Sequence, residues 1–516
     1  MKKFISVLLS AICLVAVFGN GCSKESGATV KLNIANLYLQ SFEDEYAEYI
    51  EDKFNVEISA KQYSWADWDS QVTSAINGNN MPDVFHWNLE ANTFPSFQRW
   101  VKGGSLKALP DLSKYPYLKK CVDACTGIEK MKIDGKLYGI PLVKNPNDLS
   151  INFNEFTYIY RKDWVKKLVE IDSDKYSHLL KDDDVYTFSE FEELLYAFKE
   201  HASELGGSKT IPLADVEWAY PSVLSYYVKA LGSYVYDDDK KEYVWNYTTD
   251  EYIEGLDKAK KFVSDEIYWQ DQYSAKGNGA LTKFKSGVVG CYYENVVLTN
   301  YESIRKDFKT NNPTVDVGDA CALMHLKRDD GKVVYEGGYN WYSVTLFSAD
   351  ASDEQVEKML EIMDWLLSEE GTKFATYGIK DVDYTEKEDG TIELLWSKKG
   401  DGEYANKKID AQYLRYTASI GYDIVENSPL VSQASKDAYK KWNTKAKEFV
   451  ANGEAYVMPL YLDMSWQTTE NKVNYAGLRN EAVAAVVEYT FNKGGWDEFN
   501  NKSKVKYEAV LKEING

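Results

Sequence analysis

Residues 30–84 read VKLNIANLYLQSFEDEYAEYIEDKFNVEISAKQYSWADWDSQVTSAINGNNMPDV. Apolar side chains occupy every second position from Val30 and again from Val56, which predicts two strands. Apolar residues at helical spacing follow each strand, and Asn55 is a stop signal for the first helix. A turn then leads to a third strand that begins at Val84. This β-α-β-α-β order predicts an α/β fold with a parallel sheet covered by helices, in which ligands bind beyond the carboxyl ends of the strands.

Local signals further along the chain predict helix starts and hairpin turns. Thr187 with Glu190, and Ser352 with Gln355, have the spacing of capping boxes ahead of apolar helix faces. Three turn signals end in glycine, which tolerates the positive φ that tight turns require, and they lie at residues 134–135, 329–331 and 388–390.

Composition excludes one class of partner and favours another. The chain has 81 acidic and 60 basic residues, a formal charge of −21, and no basic stripe, so nucleic acid is a poor partner. It also contains 40 tyrosines and 14 tryptophans. Large rings with a polar edge suit surfaces that meet partly wet, hydroxyl-rich molecules.

The first 29 residues predict export. Residues 1–21 combine Lys2 and Lys3 with an apolar run and a small-residue exit, which is typical of a signal peptide. Cys22 follows at the exit, so we predict a lipoprotein signal, lipidation of Cys22 and a polar tether over residues 22–29. The alternative is ordinary secretion with an incidental cysteine. No later segment has 18 unbroken apolar residues, so no other span is expected.

Cysteine and histidine are too sparse to predict a metal or redox site. Four cysteines remain after the tether, and Cys121 and Cys125 lie four residues apart, compatible either with a disulfide or with two free thiols packed as small apolar groups. No histidine lies near them, and no nucleotide-binding loop occurs, so we expect neither a metal nor a cofactor.

Seven motifs in sequence resemble the extracellular solute-binding proteins that serve ABC importers. The resemblance is to the carbohydrate-binding branch, family 1, and its long lipoprotein subgroup. The matching segments are residues 81–84, 134–141, 160–164, 198–213, 284–290, 365–371 and 377–390. Together they span nearly the whole chain after the tether, in the family's order.

The resemblance implies a two-lobed, periplasmic-binding-protein-like fold of type II, with a ligand cleft between lobes that are joined by crossing strands. Lobe one is expected at residues 30–150 and 288–338, and lobe two at residues 151–287 and 339–516. The crossings are expected near residues 149–158, 287–293 and 338–344. Hinge closure would then bury the ligand.

The same resemblance marks candidate ligand-binding residues. Trp87 follows Pro82 at the spacing at which a ligand-contacting tryptophan follows the matching proline in maltodextrin-binding protein, and Asn88 and Glu90 flank it. The alternative for Trp87 is a core ring.

The other candidates follow the expected cleft-facing strands. They are Glu217, Trp218, Tyr220, Tyr293, Glu294, Asn340 and Trp341. Trp341 has a second interpretation, as packing at the hinge.

These inferences converge on a monomeric, lipid-anchored receptor at the extracellular face of the cytoplasmic membrane. We expect it to bind an oligosaccharide without catalysis and to present it to permease subunits of an ABC importer. The alternatives are a receptor for peptides or polyamines, a surface adhesin that holds glycan, and a secreted glycoside hydrolase, which needs a pair of flanking carboxylates.

Overall fold

The computed structural model describes most of the chain beyond the tether. The described residues are 28–36, 43–64, 67–89, 93–144, 153–217, 220–274, 279–397, 428–459, 468–492 and 494–516. The predicted signal peptide and Cys22 lie outside them. None of the helices in these ranges combines the length and the apolar character needed to span a bilayer.

A five-stranded sheet organises the first lobe. In spatial order its strands are Val56–Gln62, Val30–Asn36, Val84–Trp87, Trp341–Phe347 and Gly139–Val143. The first three run parallel, as predicted, whereas Trp341–Phe347 runs antiparallel to both of its neighbours. A late segment of the chain therefore completes the sheet that the first residues begin.

Helices cover this sheet and bury its apolar faces. They are Glu45–Phe54, Trp68–Asn77, Phe94–Lys102, Pro116–Asp123, Asp353–Leu366 and Glu369–Tyr377, with short 3₁₀ turns at Leu112–Lys114 and Ile128–Met131. Two hairpins lie beside them, Lys132–Ile133 with Lys136–Leu137 and Tyr384–Glu386 with Ile392–Leu394. Asp44 caps the first helix, and Asn55 ends it in the left-handed conformation with φ 54°, which confirms the predicted stop.

Two four-stranded sheets organise the second lobe. One has the order Ala322–Leu323, Phe156–Tyr160, Val289–Asn295 and Ile211–Asp215. The other has the order Ala455–Met458, Val333–Glu336, His325–Lys327 and Val185–Thr187. A hairpin of Tyr234–Asp237 and Glu242–Trp245 lies apart from both sheets.

The helices of the second lobe pack around these sheets. Both predicted capping boxes form, at Thr187 with Glu190 in this lobe and at Ser352 with Gln355 in the first. The α-helices are Lys162–Ile171, Ser173–Tyr176, Phe188–Glu200, Ala202–Leu205, Asp250–Ser264, Gly279–Lys285, Leu298–Asn311, Val317–Ala320, Gln433–Ala451, Thr469–Val487 and Trp496–Ile514. Shorter turns occur at Ser177–Leu179, Gly207–Lys209, Ser222–Tyr226, Asn246–Thr248 and Glu488–Asn492.

Two described segments cross between the lobes side by side. One leads from Gly139–Val143 toward Phe156–Tyr160, and the other joins Val333–Glu336 to Trp341–Phe347. Backbone hydrogen bonds tie them together, from Lys144 N to Asn340 O at 2.8 Å and from Asn154 N to Glu336 O at 2.8 Å. The described ends of the first segment, Lys144 and Asn154, therefore lie beside the segment that follows Glu336.

The strand pairing differs from the expected division at two places. Residues 288–338 were expected in lobe one, but Val289–Asn295 lies between two second-lobe strands, so residues 287–293 do not form a crossing. Residues from 339 onward were expected in lobe two, but Trp341–Phe347 and Asp353–Leu366 pack within the first lobe. The pairing partners of these strands are distant in sequence, and no local pattern specifies them.

The four cysteines of the described residues are free and buried. Cys125 Sγ donates to the backbone oxygen of Cys121 at 3.1 Å, so Cys125 packs as a thiol just beyond the end of the helix that carries Cys121. Burial raises the pKa of the Cys125 thiol to about 12, which makes it unreactive at neutral pH.

Candidate functional site

Several strand ends of the second lobe meet the two crossing segments at one edge. Phe156–Tyr160 begins just after the first crossing, and Val333–Glu336 ends just before the second. Asn295 pairs with Phe156, so Val289–Asn295 ends at the same edge. Carboxyl ends of strands are where ligands bind in open α/β sheets. We call Phe156, Tyr226, Tyr293 and Glu336, which lie here, the crossing surface.

Aromatic rings make up most of the crossing surface. Phe156 stacks on Tyr293 with ring centroids 5.8 Å apart, and Tyr226 stacks on Tyr158 at 6.4 Å. Tyr158 and Tyr293 are buried, and their centroids lie 5.1 Å apart, whereas Phe156 and Tyr226 are half-buried. Two partly exposed rings are therefore supported by two buried ones. Such rings offer apolar faces beside water.

Glu336 adds a hydrogen-bond acceptor to these rings. Its Oε1 accepts a hydrogen bond from Tyr293 Oη at 3.1 Å, and the residue is half-buried. Burial raises the pKa of this carboxyl, and the Tyr293 hydrogen bond opposes that rise. In its ionised form this carboxylate only accepts hydrogen bonds, so its partner would be a donor such as a hydroxyl group.

A second carboxyl, Asp215, lies deeper in the same lobe. It is fully buried and accepts hydrogen bonds from Ser222 N at 2.8 Å, Ser222 Oγ at 2.7 Å and Tyr268 Oη at 2.9 Å. Burial raises its pKa to about 6 despite these bonds. Because its acceptor sites are used within the protein, Asp215 positions the turn at Ser222–Tyr226 that carries Tyr226.

Lys144 is a buried cation at the crossings. Its Nζ donates to Asn154 Oδ1 at 3.0 Å and approaches Phe153 O at 3.5 Å. Burial lowers its pKa to about 8, opposed by the charge of Glu155. A Cβ at Gly338 would lie 2.5 Å from Asn154 Oδ1, so a larger residue there would displace the Asn154 side chain. The Lys144–Asn154 bond lies within the first segment, and the backbone N–H groups of both residues bond the second segment.

Three first-lobe candidates are Trp87, Asn88 and Glu90, and the structure places Trp87 in the core. Trp87 is 1% exposed, and its ring packs edge-on against Trp100 at 4.6 Å and Trp68 at 5.6 Å, so it is a core ring in this structure. The backbone oxygen of Asn88 accepts from Thr93 Oγ1 at 2.5 Å. Glu90 lies outside the described residues.

Asn340 and Trp341 attach the second crossing to the first lobe. Asn340 Oδ1 accepts from Thr126 N at 3.0 Å, and its Nδ2 donates to Ala124 O at 2.9 Å. Trp341 Nε1 donates to Thr126 O at 2.7 Å, and its ring stacks on Tyr339 at 5.0 Å. Both candidates are buried, and the packing interpretation of Trp341 fits this environment.

The candidates after strand Ile211–Asp215 are Glu217, Trp218 and Tyr220, and the structure describes the side-chain contacts of two of them. Glu217 Oε1 accepts from Ala280 N at 2.7 Å, so its carboxylate holds the start of helix Gly279–Lys285. Tyr220 Oη lies 3.4 Å from Tyr247 Oη. Trp218 lies outside the described residues.

The last two candidates, Tyr293 and Glu294, lie in different environments. Glu294 is buried and accepts hydrogen bonds from Tyr292 Oη at 2.6 Å and Asn295 N at 2.8 Å. Burial raises its pKa. Tyr293 is the candidate that the structure places in the crossing surface.

Sequence reasoning missed the other members of this surface, Phe156, Tyr226 and Glu336. One signal for Glu336 was present, because Glu336 directly precedes Gly337 and Gly338 at a predicted crossing.

A separate cavity of about 210 Å³ lies in the second lobe beside helix Gln433–Ala451. Its charged groups pair with one another, Lys162 and Lys441 with Asp184 at 2.7 Å each, and Lys445 with Asp183 at 3.2 Å. The pairs of Lys441 and Lys445 tie the helix to the lobe. Within the described ranges, no three histidine, cysteine, aspartate or glutamate side chains group closely enough to hold a metal ion.

Two α/β lobes joined by crossing segments, with rings and an acceptor at the crossings, define a two-lobed binding protein. The chain belongs to the bacterial extracellular solute-binding protein family, whose model matches residues 45–380. This family comprises solute-binding proteins, not enzymes.

Comparison with known proteins gives two relatives from Bacillus subtilis strain 168. The chain is 24% identical over 410 residues to the polygalacturonan/rhamnogalacturonan-binding protein YtcQ, an alignment that covers 75% of this chain and 74% of that protein. It is 23% identical over 342 residues to the lipoprotein LipO, with 61% of each chain covered.

Among solved structures, one similar fold is the HMO-binding, ABC-transporter-associated solute-binding protein from Bifidobacterium longum infantis. The TM-score is 0.65 at 14% identity, and the match covers 94% of this chain and 98% of that chain. This likeness establishes the two-lobed fold.

Proposed function

We propose that this protein captures an oligosaccharide between its lobes and delivers it to the permease of an ABC importer. The protein acts as a monomer at the extracellular face of the cytoplasmic membrane, held there by lipid on Cys22. Glu90 and Trp218 remain predicted contacts from the two sides of the cleft.

The observation that carries this proposal is the crossing surface. Phe156 and Tyr226 are half-buried rings, and Glu336 is a half-buried carboxylate held by Tyr293. A sugar presents C–H faces that pack on rings and hydroxyl groups that donate to carboxylates. The crossing surface offers both partners at the place where lobe closure would enclose a ligand.

Binding energies indicate that the crossing surface is one part of a larger site. Micromolar affinity needs about 8 kcal/mol. A stacked ring contributes about 0.5–1.5 kcal/mol beyond burial of its area, and a hydrogen bond to a charged group about 1.5–3 kcal/mol. Phe156, Tyr226 and Glu336 together supply about half of the requirement, so further contacts are needed.

The relatives support a carbohydrate as the solute. One is named for binding polygalacturonan and rhamnogalacturonan, and one similar structure is described as HMO-binding and ABC-transporter-associated. The lipoprotein name of the other relative supports the anchor.

The anchor has its own test. Cys22→Ser should release the protein from membranes into the medium, and mass spectrometry of the wild-type protein should find acyl chains on Cys22. A wild-type protein without acyl groups would contradict the anchor and leave solute binding untouched.

Calorimetric titration with purified oligosaccharides tests solute binding. We expect one molecule bound per chain and no change in the sugar after incubation. Tyr226→Ala should weaken binding at least tenfold, because it removes a partly exposed ring. Tyr236→Ala is the matched control, since Tyr236 is 45% exposed on the hairpin Tyr234–Asp237. Product formation, or equal affinity of wild type and Tyr226→Ala, would contradict the proposal.

A further inference from the structure

The position of Glu336 is fixed from two directions. Its backbone oxygen accepts from Asn154 N at 2.8 Å, and its Oε1 accepts from Tyr293 Oη at 3.1 Å. Tyr293 is held in turn by its ring contacts with Phe156 and Tyr158. No other described residue donates a hydrogen bond to this carboxylate, so Oε2 is the acceptor that remains for a bound molecule.

Glu336 and Asp215 are the two acidic side chains that act on the tyrosines of the crossing surface. Glu336 and Asp215 both raise the pKa of the Tyr226 hydroxyl, after the larger effect of burial, and both also raise that of Tyr293. The buried cation at the crossings, Lys144, is bound by Asn154 Oδ1 and lies near Glu155. A ligand carboxylate placed here would repel the ionised form of Glu336 in a partly buried setting, where screening by water is weak.

We infer that the solute is a neutral oligosaccharide, and that Glu336 selects it by accepting a hydrogen bond from a sugar hydroxyl group and repelling uronate carboxylates. This inference rests on the proposed function and narrows its substrate class. It separates this protein from its polygalacturonan-binding relative in cargo charge, although both belong to one family.

Calorimetry with charge-matched sugars tests the inference on the full chain, purified in detergent. The panel contains neutral pentasaccharides of glucose, galactose, xylose, mannose and arabinose, together with pentagalacturonate and its methyl ester. The ester keeps the shape of the acid and removes its charge. We expect at least one neutral pentasaccharide to bind, and pentagalacturonate to bind at least tenfold more weakly than its ester.

Glu336→Gln tests the residue itself, because it keeps the shape of the side chain and removes the charge. It should weaken binding of the neutral sugar at least tenfold and reduce the preference for the ester over the acid. Tyr293→Phe removes the orienting hydroxyl group and keeps the ring. It should lower the affinity for the neutral sugar and the preference for the ester, and it replaces Glu336→Gln as the test if that variant does not fold. Glu170→Gln, on the exposed side of helix Lys162–Ile171, should change neither.

The outcomes separate the inference from the proposed function. If pentagalacturonate binds as tightly as its ester, or if Glu336→Gln folds and leaves both affinities unchanged, the inference is overturned and solute capture still stands. If the wild-type chain binds no member of the panel, the inference and the proposed capture of oligosaccharides both fail.

Discussion

Trp87 illustrates how a buried ring differs from a binding ring. It is packed by Trp68 and Trp100 and is 1% exposed, so truncation leaves a large cavity in the first lobe. Trp87→Ala should lower the free energy of unfolding by about 3–5 kcal/mol, measured by urea denaturation. Trp87→Phe should cost less, because it keeps part of the ring. Normal stability of Trp87→Ala together with lost sugar binding would instead place Trp87 in the site.

His325 makes stability depend on pH. Burial lowers its pKa to about 3 from the ordinary 6.5, and its Nδ1 lies 2.8 Å from Tyr335 Oη. Below pH 6.5, His325 therefore binds a proton in the unfolded chain but stays neutral in the folded protein. Because the unfolded state binds more protons, His325 lowers the free energy of unfolding progressively as pH falls from 6.5 toward 3.

A substitution isolates this effect from the other titrating groups. His325→Asn keeps a polar atom near Tyr335 and cannot titrate in this range. Urea denaturation should show a smaller loss of stability between pH 7 and pH 4.5 in His325→Asn than in the wild-type protein. Equal losses would show that His325 is protonated in the folded state.

The resemblance to the solute-binding family pointed to one member of the crossing surface. Tyr293 was predicted from its place after a strand, but Phe156 and Tyr226 come together with it only through pairing across the second lobe. Trp87 and Trp341 are of a residue type that often binds sugars, but both lie in the core. Exposure depends on the neighbours that the fold brings, and those neighbours are distant in sequence.

The starts of helices are determined by residues close together in the sequence. Thr187 Oγ1 accepts from Glu190 N at 3.2 Å, and Glu190 Oε2 accepts from Thr187 N at 2.9 Å. Thr187→Ala removes the first of these bonds at the start of helix Phe188–Glu200 and should lower the free energy of unfolding by about 1 kcal/mol. Thr187→Ser should retain most of it. A loss with Ser as large as with Ala would contradict capping by the hydroxyl group.

The lobe boundaries were harder to predict than the strands, turns and helix starts. The first strands, both capping boxes and the turn at Asp134 and Gly135 follow from neighbouring residues, and the structure contains all of them. Trp341–Phe347 is also apolar and strand-like, but its partners are Val84–Trp87 and Gly139–Val143, about 200 residues or more away. A strand pattern predicts that a segment pairs but does not specify its partner.

In the whole molecule, the proposed site lies where the two crossing segments run side by side. Lys144 and Asn154 join the two segments, and Asn154 also holds the backbone of Glu336. A change in lobe angle would therefore move the crossing surface and the first lobe relative to each other. On the proposed function, a ligand bound at Glu336 and Tyr226 would favour a closed form only through added contacts with the first lobe.

A crystal structure with the tightest-binding neutral oligosaccharide tests this account most directly. We predict one sugar chain enclosed between the lobes, with a ring packed on Tyr226 or Phe156 and a hydroxyl group within hydrogen-bond distance of Glu336 Oε2. A sugar bound away from the crossings, such as in the cavity beside helix Gln433–Ala451, would contradict it.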